Sequence, residues 1–139
     1  PHNVYGPNMG NQHVIPELIQ KAKKLKNNNK ILSIKGKGKE TRSFIYIDDF
    51  VDAFDLLLKK GKHLNVYNIG NSDQITIKYL ILKILNLLKL NAKIKTSSIA
   101  VGGTSKRCPN IKKIAKLGYK KKVNLSKGLL KTIDWYYKV

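Results

Sequence analysis

Cysteine, arginine and acidic residues are all scarce in this chain of 139 residues. Cys108 is the single cysteine, so an internal disulfide is excluded and a reducing compartment is favoured. The longest apolar stretch, residues 79–90, is broken by polar residues and falls short of the roughly 20 apolar residues that span a bilayer. These shortages predict a cytoplasmic protein without a membrane span.

The shortage of acidic residues leaves a formal net charge of +20. A basic module that binds nucleic acid is one interpretation, because lysine-rich surfaces release counterions from phosphates. However, 26 of the 28 basic residues are lysines spread along the chain, and they accompany abundant asparagine and isoleucine, which share AT-rich codons. The densest run, residues 120–122, has a single aromatic neighbour, Tyr119, and zinc-finger or RNA-recognition spacing is missing. We therefore expect a solvated basic surface and no specific nucleic-acid partner.

Apolar periodicity and turn residues predict alternating strands and helices in a chain about one domain long. Helices are predicted over 13–25, 48–60, 77–90, 111–117 and 126–137, and strands over 31–34, 43–47, 66–69, 75–76 and 92–96. Loops are predicted over 27–30 and 97–105. The alternation places the chain in the α/β class, and the apolar segment 66–69 is expected to be a buried strand.

A glycine turn followed by an arginine is the most informative segment. Gly36 and Gly38 lie between two predicted strands, where glycine lets a ligand approach the backbone closely. Arg42 follows the turn, and a guanidinium grips a diphosphate with two parallel hydrogen bonds. In a chain that otherwise uses lysine, this indicates that the planar group matters, although a surface arginine in a hairpin is the alternative.

Seven segments, in order along the whole chain, resemble motifs of the extended short-chain dehydrogenase/reductase family, the NAD-dependent epimerases and dehydratases of nucleotide sugars. Residues 36–49 resemble G-x-G-x-x-T-R-S-F-x-Y-V-D-D. The others are 3–7 (N-V-Y-G-P), 14–16 (L/V-I-P), 68–71 with 75–77 (N-I-G-N, then T-I), 106–111 (R-R-x-P-D-I), 117–119 (L-G-W/Y) and 128–136 (G-L-x-x-T-I-x-W-Y). Two departures are Lys37, where an acidic residue is common, and Asn110, which replaces a helix-capping aspartate.

The resemblance implies that residues 1–139 form the C-terminal nucleotide-sugar-binding region of such an enzyme, together with the last strand or strands of its Rossmann sheet. Residues 66–69 would be such a strand. Six positions match substrate-binding positions of the family. By this resemblance, Asn3 would contact the sugar diphosphate, and the backbone at Val14 would face the nucleobase. Ser33 and Lys35 would border the base pocket. Arg42 and Arg107 would bind the pyrophosphate.

The resemblance also implies an NAD cofactor, held mainly by an N-terminal Rossmann domain that is absent from this chain. The family's catalytic Tyr-x-x-x-Lys is expected before residue 1, so the chain alone is expected to show no turnover. Tyr79 and Lys83 do have this spacing, but no glycine-rich turn precedes them, and we expect a chance match. The complete enzyme is expected to be a homodimer that transiently oxidises a UDP- or dTDP-sugar. A non-catalytic nucleotide-binding fragment is the third interpretation.

Three other candidates have plainer interpretations. Asp48 and Asp49 could form a catalytic carboxylate pair, but they open a predicted helix and are expected to stabilise its positive end. His13 is expected to be a surface or capping residue, since no second histidine lies nearby to complete a metal site. Cys108 has no activating partner in the sequence and is expected to pack beside Pro109.

Overall fold

Short strands alternate with helices in the computed structural model, which describes residues 1–25, 30–98 and 104–138. The described helices are α1 (Val14–Lys23), α2 (Ile47–Lys60), α3 (Ile77–Leu87), α4 (Lys112–Ala115) and α5 (Leu125–Lys138). The described strands are β1 (Val4–Tyr5), β2 (Ile31–Ser33), β3 (Thr41–Ser43), β4 (Ile45–Tyr46), β5 (Gln74–Thr76), β6 (Lys93–Lys95) and β7 (Lys106–Arg107). The predicted α/β class is confirmed. The loops predicted over 27–30 and 97–105 lie mostly outside the described residues.

Three small sheets organise the strands. β1 pairs with β4 and β2 pairs with β6, both in parallel, while β3 lies between antiparallel β5 and parallel β7. Gly36 and Gly38 connect β2 to β3 with φ values of +89° and +76°, a conformation in which a side chain would be strained. The sequence prediction of a glycine turn is therefore confirmed, and the turn delivers Arg42 to the middle of the three-stranded sheet.

The main hydrophobic core lies among α1, α3 and α5. Ile19 of α1, Leu80 of α3 and Leu129 of α5 are fully buried there. Each belongs to the apolar face that its helix shows in the sequence. Complete burial of each such side chain stabilises the fold by about 1.5–3 kcal/mol. This core fixes the position of α1, whose first turn borders the candidate site.

A second cluster packs α2 against β1 and β4, with Ile45 and Ala53 at its centre. Ile69 joins this cluster, but the buried strand predicted over 66–69 is wrong for this chain. Val66 is 82% exposed, and the segment belongs to none of the described sheets. A strand requires a hydrogen-bonded neighbour, and none of the described strands runs beside these residues.

The single strand predicted over 43–47 is instead two strands, β3 and β4, that belong to different sheets. The remaining predicted elements are confirmed with boundaries shifted by a few residues. β7 was not predicted, because two polar residues carry no alternation, and it forms only by pairing with β3. Gly61 ends α2 as expected, but with φ −67° rather than a left-handed conformation. Within the described residues, none of the helices has the length and apolar character needed to cross a membrane.

Candidate functional site

Two arginines lie side by side on adjacent strands of the three-stranded sheet. Arg42 on β3 lies directly opposite Arg107 on parallel β7. Neighbouring strands are about 4.8 Å apart, and side chains opposite each other point to the same face, so the two guanidinium groups are neighbours. Burial, and then the positive charge of Arg107, lowers the pKa of Arg42, with Glu40 opposing the shift. The two positive charges are thus held close together despite their mutual repulsion.

Backbone carbonyls hold Arg42 and a threonine hydroxyl holds Arg107. Arg42 Nη1 donates to Thr41 O at 2.7 Å, and Arg42 Nη2 donates to Thr104 O at 2.8 Å. Arg107 Nη2 donates to Thr104 Oγ1 at 3.3 Å. In the described part of the chain, neither guanidinium has a carboxylate oxygen within 4.0 Å. Since a guanidinium carries five N–H donors, the pair retains donors and unbalanced charge for an anion.

Two cavities meet at Arg42. The helix-side cavity, of about 280 Å³, lies against α1, and its apolar walls are Val14, Leu18, Ile34 and Ile77. The loop-side cavity, of about 230 Å³, lies against the N-terminal loop. Arg42 and Val14 line both cavities. Arg42 therefore lies at the junction of an apolar cavity and a more polar one, and Arg107 borders the more polar one.

Five of the six residues singled out from the sequence border these two cavities. Asn3 and Arg107 line the loop-side cavity, and Lys35 lines the helix-side cavity. Asn3 adopts φ +44° and donates from Nδ2 to Ser43 O at 2.9 Å, which anchors it beside the arginine pair. Ser33 is the exception, because its side chain is exposed and lines neither cavity. Its carbonyl nevertheless reaches the site through Lys21, as described next.

Sequence reasoning missed Glu17 and Lys21, which line the helix-side cavity. Lys21 Nζ lies 2.7 Å from Glu17 Oε1 and donates to Ser33 O at 3.0 Å. Both residues lie on the same face of α1 as Val14, at helical spacing. That spacing was visible in the sequence, but an i,i+4 pair of opposite charges is so common on helix surfaces that it signals no ligand by itself.

Two histidines also lie near the site. His13 is exposed at the start of α1, makes no side-chain capping hydrogen bond and lines the loop-side cavity. His2 Nε2 lies 3.3 Å from Asn3 Nδ2. Burial lowers the pKa of His2, and the charge of Arg107 lowers it further, against a hydrogen bond from the ring to the backbone of Arg107 that raises it. Isolated histidines such as these carry no motif that indicates the site.

The remaining sequence candidates lie away from the two cavities. Asp49 is buried, and its carboxylate accepts backbone N–H groups from Lys122 and Val123 at 3.0 and 3.1 Å. Asp48 is exposed and pairs with Lys131 at 3.1 Å. Both lie in the first turn of α2 as predicted, but neither caps the helix with a hydrogen bond, because each carboxylate is engaged with a later part of the chain.

The other polar candidates have local contacts. Asn110 Oδ1 accepts from the backbone N–H of Lys112, the first residue of α4, at 3.0 Å, although the N-cap position itself is Ile111. Cys108 is half-buried beside Pro109. Tyr79 is 48% exposed on α3 and lines neither of the two cavities. Across the described residues, no group of three or more histidine, cysteine or acidic side chains could hold a metal ion.

A family model described as the NAD dependent epimerase/dehydratase family matches residues 1–70. The chain belongs to this family. It is 33% identical over 143 residues to GDP-L-fucose synthase 1 of Arabidopsis thaliana, covering 99% of this chain and 44% of that protein. It is 35% identical over 141 residues to the dTDP-D-glucose 4,6-dehydratase of Homo sapiens, covering 96% and 39% respectively.

Solved structures of epimerases share the fold. One of these, the Y149F mutant of UDP-glucuronic acid 4-epimerase from Bacillus cereus in complex with UDP-4-deoxy-4-fluoro-glucuronic acid and NAD, superposes with a TM-score of 0.88 at 28% identity. The alignment covers 99% of this chain and 43% of that structure. The epimerase/dehydratase chain described here therefore spans less than half the length of the relatives that it matches.

The described residues do not form a cradle for the pyrophosphate of NAD. Such a cradle is a glycine-rich turn that leads from a strand into a helix N-terminus. The described glycines with positive φ are Gly36, Gly38 and Gly118, and none of them opens a helix. The arginine pair and the cavities beside it form a site that can bind an anion.

Proposed function

We propose that this chain is the nucleotide-sugar-binding region of an NAD-dependent epimerase or dehydratase, with residues 1–139 as one region. NAD and the catalytic Tyr-x-x-x-Lys would be held by an N-terminal Rossmann domain outside these residues. The observation that carries the proposal is the pairing of Arg42 with Arg107 where the two cavities meet. Membership of the family supports the same conclusion.

A pyrophosphate matches the arginine pair in charge and shape. Each of its two bridged phosphates carries negative charge, and a guanidinium can present two donors in one plane to phosphate oxygens. A nucleoside and a sugar are attached at the two ends of a pyrophosphate, and Arg42 lines both cavities. Fixing the substrate at its centre would orient the sugar for transient oxidation, because a well-oriented reacting group lowers the entropic part of the barrier.

The character of the cavities suggests which end of the substrate enters each. A nucleobase is planar with apolar faces, so it suits the helix-side cavity between the side chains of Val14 and Ile77. Sugar hydroxyls need hydrogen-bonding partners, which the loop-side cavity offers in Asn3 and His13. Both of these residues also line a neighbouring open cavity of about 500 Å³ beside the N-terminal loop. The sugar would reach the proposed N-terminal catalytic domain through that opening.

The comparisons leave the nucleobase open, because the names of the relatives include GDP-, dTDP- and UDP-sugars. The motif resemblance alone favours a UDP- or dTDP-sugar. It also favours a homodimeric enzyme of the cytoplasm, which sedimentation of the intact protein and cell fractionation would test.

A nucleic-acid-binding module is the weaker candidate. Several lysines are engaged with carboxylates, including Lys122 with Asp52 at 2.6 Å and Lys121 with Asp73. These contacts reduce the positive field available to a polyanion without abolishing it. We expect only non-specific binding of DNA or RNA. The logarithm of the binding constant should fall linearly with the logarithm of the salt concentration. Sequence-selective binding at physiological salt would contradict this.

Calorimetric titration of nucleoside diphosphates into the intact protein tests the proposal. Arg107→Lys and Arg42→Lys keep the charge but lose the planar fork. Loss of one charge-assisted hydrogen bond, about 1.5–3 kcal/mol, should weaken binding by about ten- to a hundredfold. Lys39 is exposed and lines neither cavity, so Lys39→Ala is the control and should bind normally. Because Arg42 also holds Thr104 O, its variant needs a parallel melting curve. Wild-type affinity in both arginine variants would refute the proposal.

A further inference from the structure

The helix-side cavity has a charged edge as well as apolar walls. Glu17 and Lys21 lie one helical turn apart on α1, and both line this cavity. Lys21 Nζ is 2.7 Å from Glu17 Oε1 and 3.0 Å from Ser33 O. The ammonium is therefore held between two acceptors on different elements, and it fixes the carboxylate beside it. The cavity edge presents an N–H donor next to an acceptor-only group.

Both groups keep unused hydrogen-bonding capacity. An ammonium has three donors, of which two are used here, and a carboxylate has about four acceptor positions, of which Lys21 occupies one. Glu40, another carboxylate of this cavity, is engaged differently, since its Oε1 accepts the Lys37 N–H at 2.9 Å and closes the glycine turn. Glu17 is thus the carboxylate of this cavity that is available to accept hydrogen bonds from a ligand.

We propose that the Glu17–Lys21 pair selects guanine, so that the substrate is a guanine nucleotide in place of the UDP- or dTDP-sugar that the motif resemblance implies; this inference rests on the proposed function. The edge of guanine presents a carbonyl oxygen, a ring N–H and an amino group in that order. Lys21 would donate to the carbonyl, and the carboxylate of Glu17 would accept both adjacent N–H groups. Two parallel bonds to one carboxylate form the strong bidentate arrangement.

The other bases match this edge less well. Uracil and thymine offer one N–H flanked by carbonyls on both sides. A carboxylate that accepts that N–H would face a second carbonyl oxygen, which repels it. Adenine and cytosine offer an amino group but a ring acceptor instead of a ring N–H, so the carboxylate again loses one of its two bonds. An unpaired polar edge in a binding site costs affinity. Only guanine satisfies both charged groups together.

Inosine diphosphate is the sharpest probe, because it is guanosine diphosphate without the amino group. Titrated into the intact protein, GDP should bind about tenfold more tightly than IDP, the equivalent of one hydrogen bond of about 1.4 kcal/mol. UDP should be weaker than GDP by at least as much. In Glu17→Gln the GDP-to-IDP ratio should fall close to one. In Lys21→Gln both nucleotides should weaken together with their ratio preserved, because both carry the carbonyl.

A matched control is available on α2. Asp55 and Lys59 form the same kind of i,i+4 pair at 2.6 Å, and neither lines the helix-side cavity. Asp55→Asn should therefore leave every nucleotide affinity unchanged. Equal binding of GDP and IDP by the wild type, or tighter binding of UDP or dTDP than of GDP, would overturn the guanine assignment while leaving the nucleotide-sugar function intact. Failure to bind any nucleoside diphosphate would overturn both.

Discussion

Replacing Asp49 by asparagine should destabilise the protein far more than the same change at Asp48. The carboxylate of Asp49 is 2% exposed and accepts two backbone N–H groups, from Lys122 and Val123, that lie just before α5. It joins the first turn of α2 to a segment more than seventy residues later in the chain. Asparagine has the same shape but turns one of the two acceptors into a donor.

The cost follows from these contacts. One charge-assisted hydrogen bond is lost, about 1.5–3 kcal/mol, and a buried N–H is left facing another donor. Together we expect a fall of about 2–4 kcal/mol in the free energy of unfolding, a large share of the 5–15 kcal/mol typical of a domain. Asp48 pairs with Lys131 at the surface, where solvent screens the two charges, so the same change there should cost much less stability.

Urea denaturation followed by circular dichroism would measure both variants of the intact protein, with turnover recorded in parallel. Asp49→Asn should lower the denaturation midpoint and retain activity per folded molecule. If the two variants were equally stable, the structural role of Asp49 would be refuted. If Asp49→Asn kept full stability but lost turnover, the catalytic interpretation of the carboxylate pair would return.

Two further changes test the packing and electrostatics around the site. Gly128→Ala should lower the free energy of unfolding by about 1–3 kcal/mol, because the added Cβ would lie 2.9 Å from Tyr5 Cζ in a fully packed position. Thermal melts would measure this change. An unchanged or higher melting temperature would contradict it. The pKa of His2 lies below the ordinary 6.5, and a bound diphosphate should raise it. The midpoint of an NMR titration of the ring should therefore move to higher pH when ligand is bound. Ligand affinity should increase as the pH falls toward that pKa. Without ligand, the lowered pKa means that stability is complete above 6.5 and falls as the pH drops below it. A His2 titration unchanged by nucleotide would place the anion elsewhere.

The helices and the glycine turn could be predicted because their causes are local. Apolar residues at helical spacing define one buried face, and this holds for α1 whatever it packs against. Gly36 and Gly38 likewise meet a local requirement for positive φ. Arg42 could be selected as a ligand residue since guanidinium chemistry is rare in this lysine-rich chain.

Features that depend on a partner in space could not be predicted in the same way. β7 exists because β3 lies beside it, whereas 66–69, the more strand-like sequence, lacks a described neighbour and forms no strand. Asp49 carries the local signal of a helix start, yet its hydrogen bonds go to residues far along the chain. In both cases the presence or absence of a hydrogen-bonding partner from a distant segment decided the outcome, and the local pattern did not.

The amino-acid sequence by itself determined the α/β class, the family resemblance and the two arginines, because residue chemistry and local periodicity are properties of the chain. Only the tertiary structure placed Arg42 opposite Arg107 and brought Glu17, Lys21 and the Ser33 carbonyl to one cavity edge. These groups are distant in sequence or inconspicuous within it. Their positions are set by strand register and by the packing of α1 on the core, which depend on the whole chain at once.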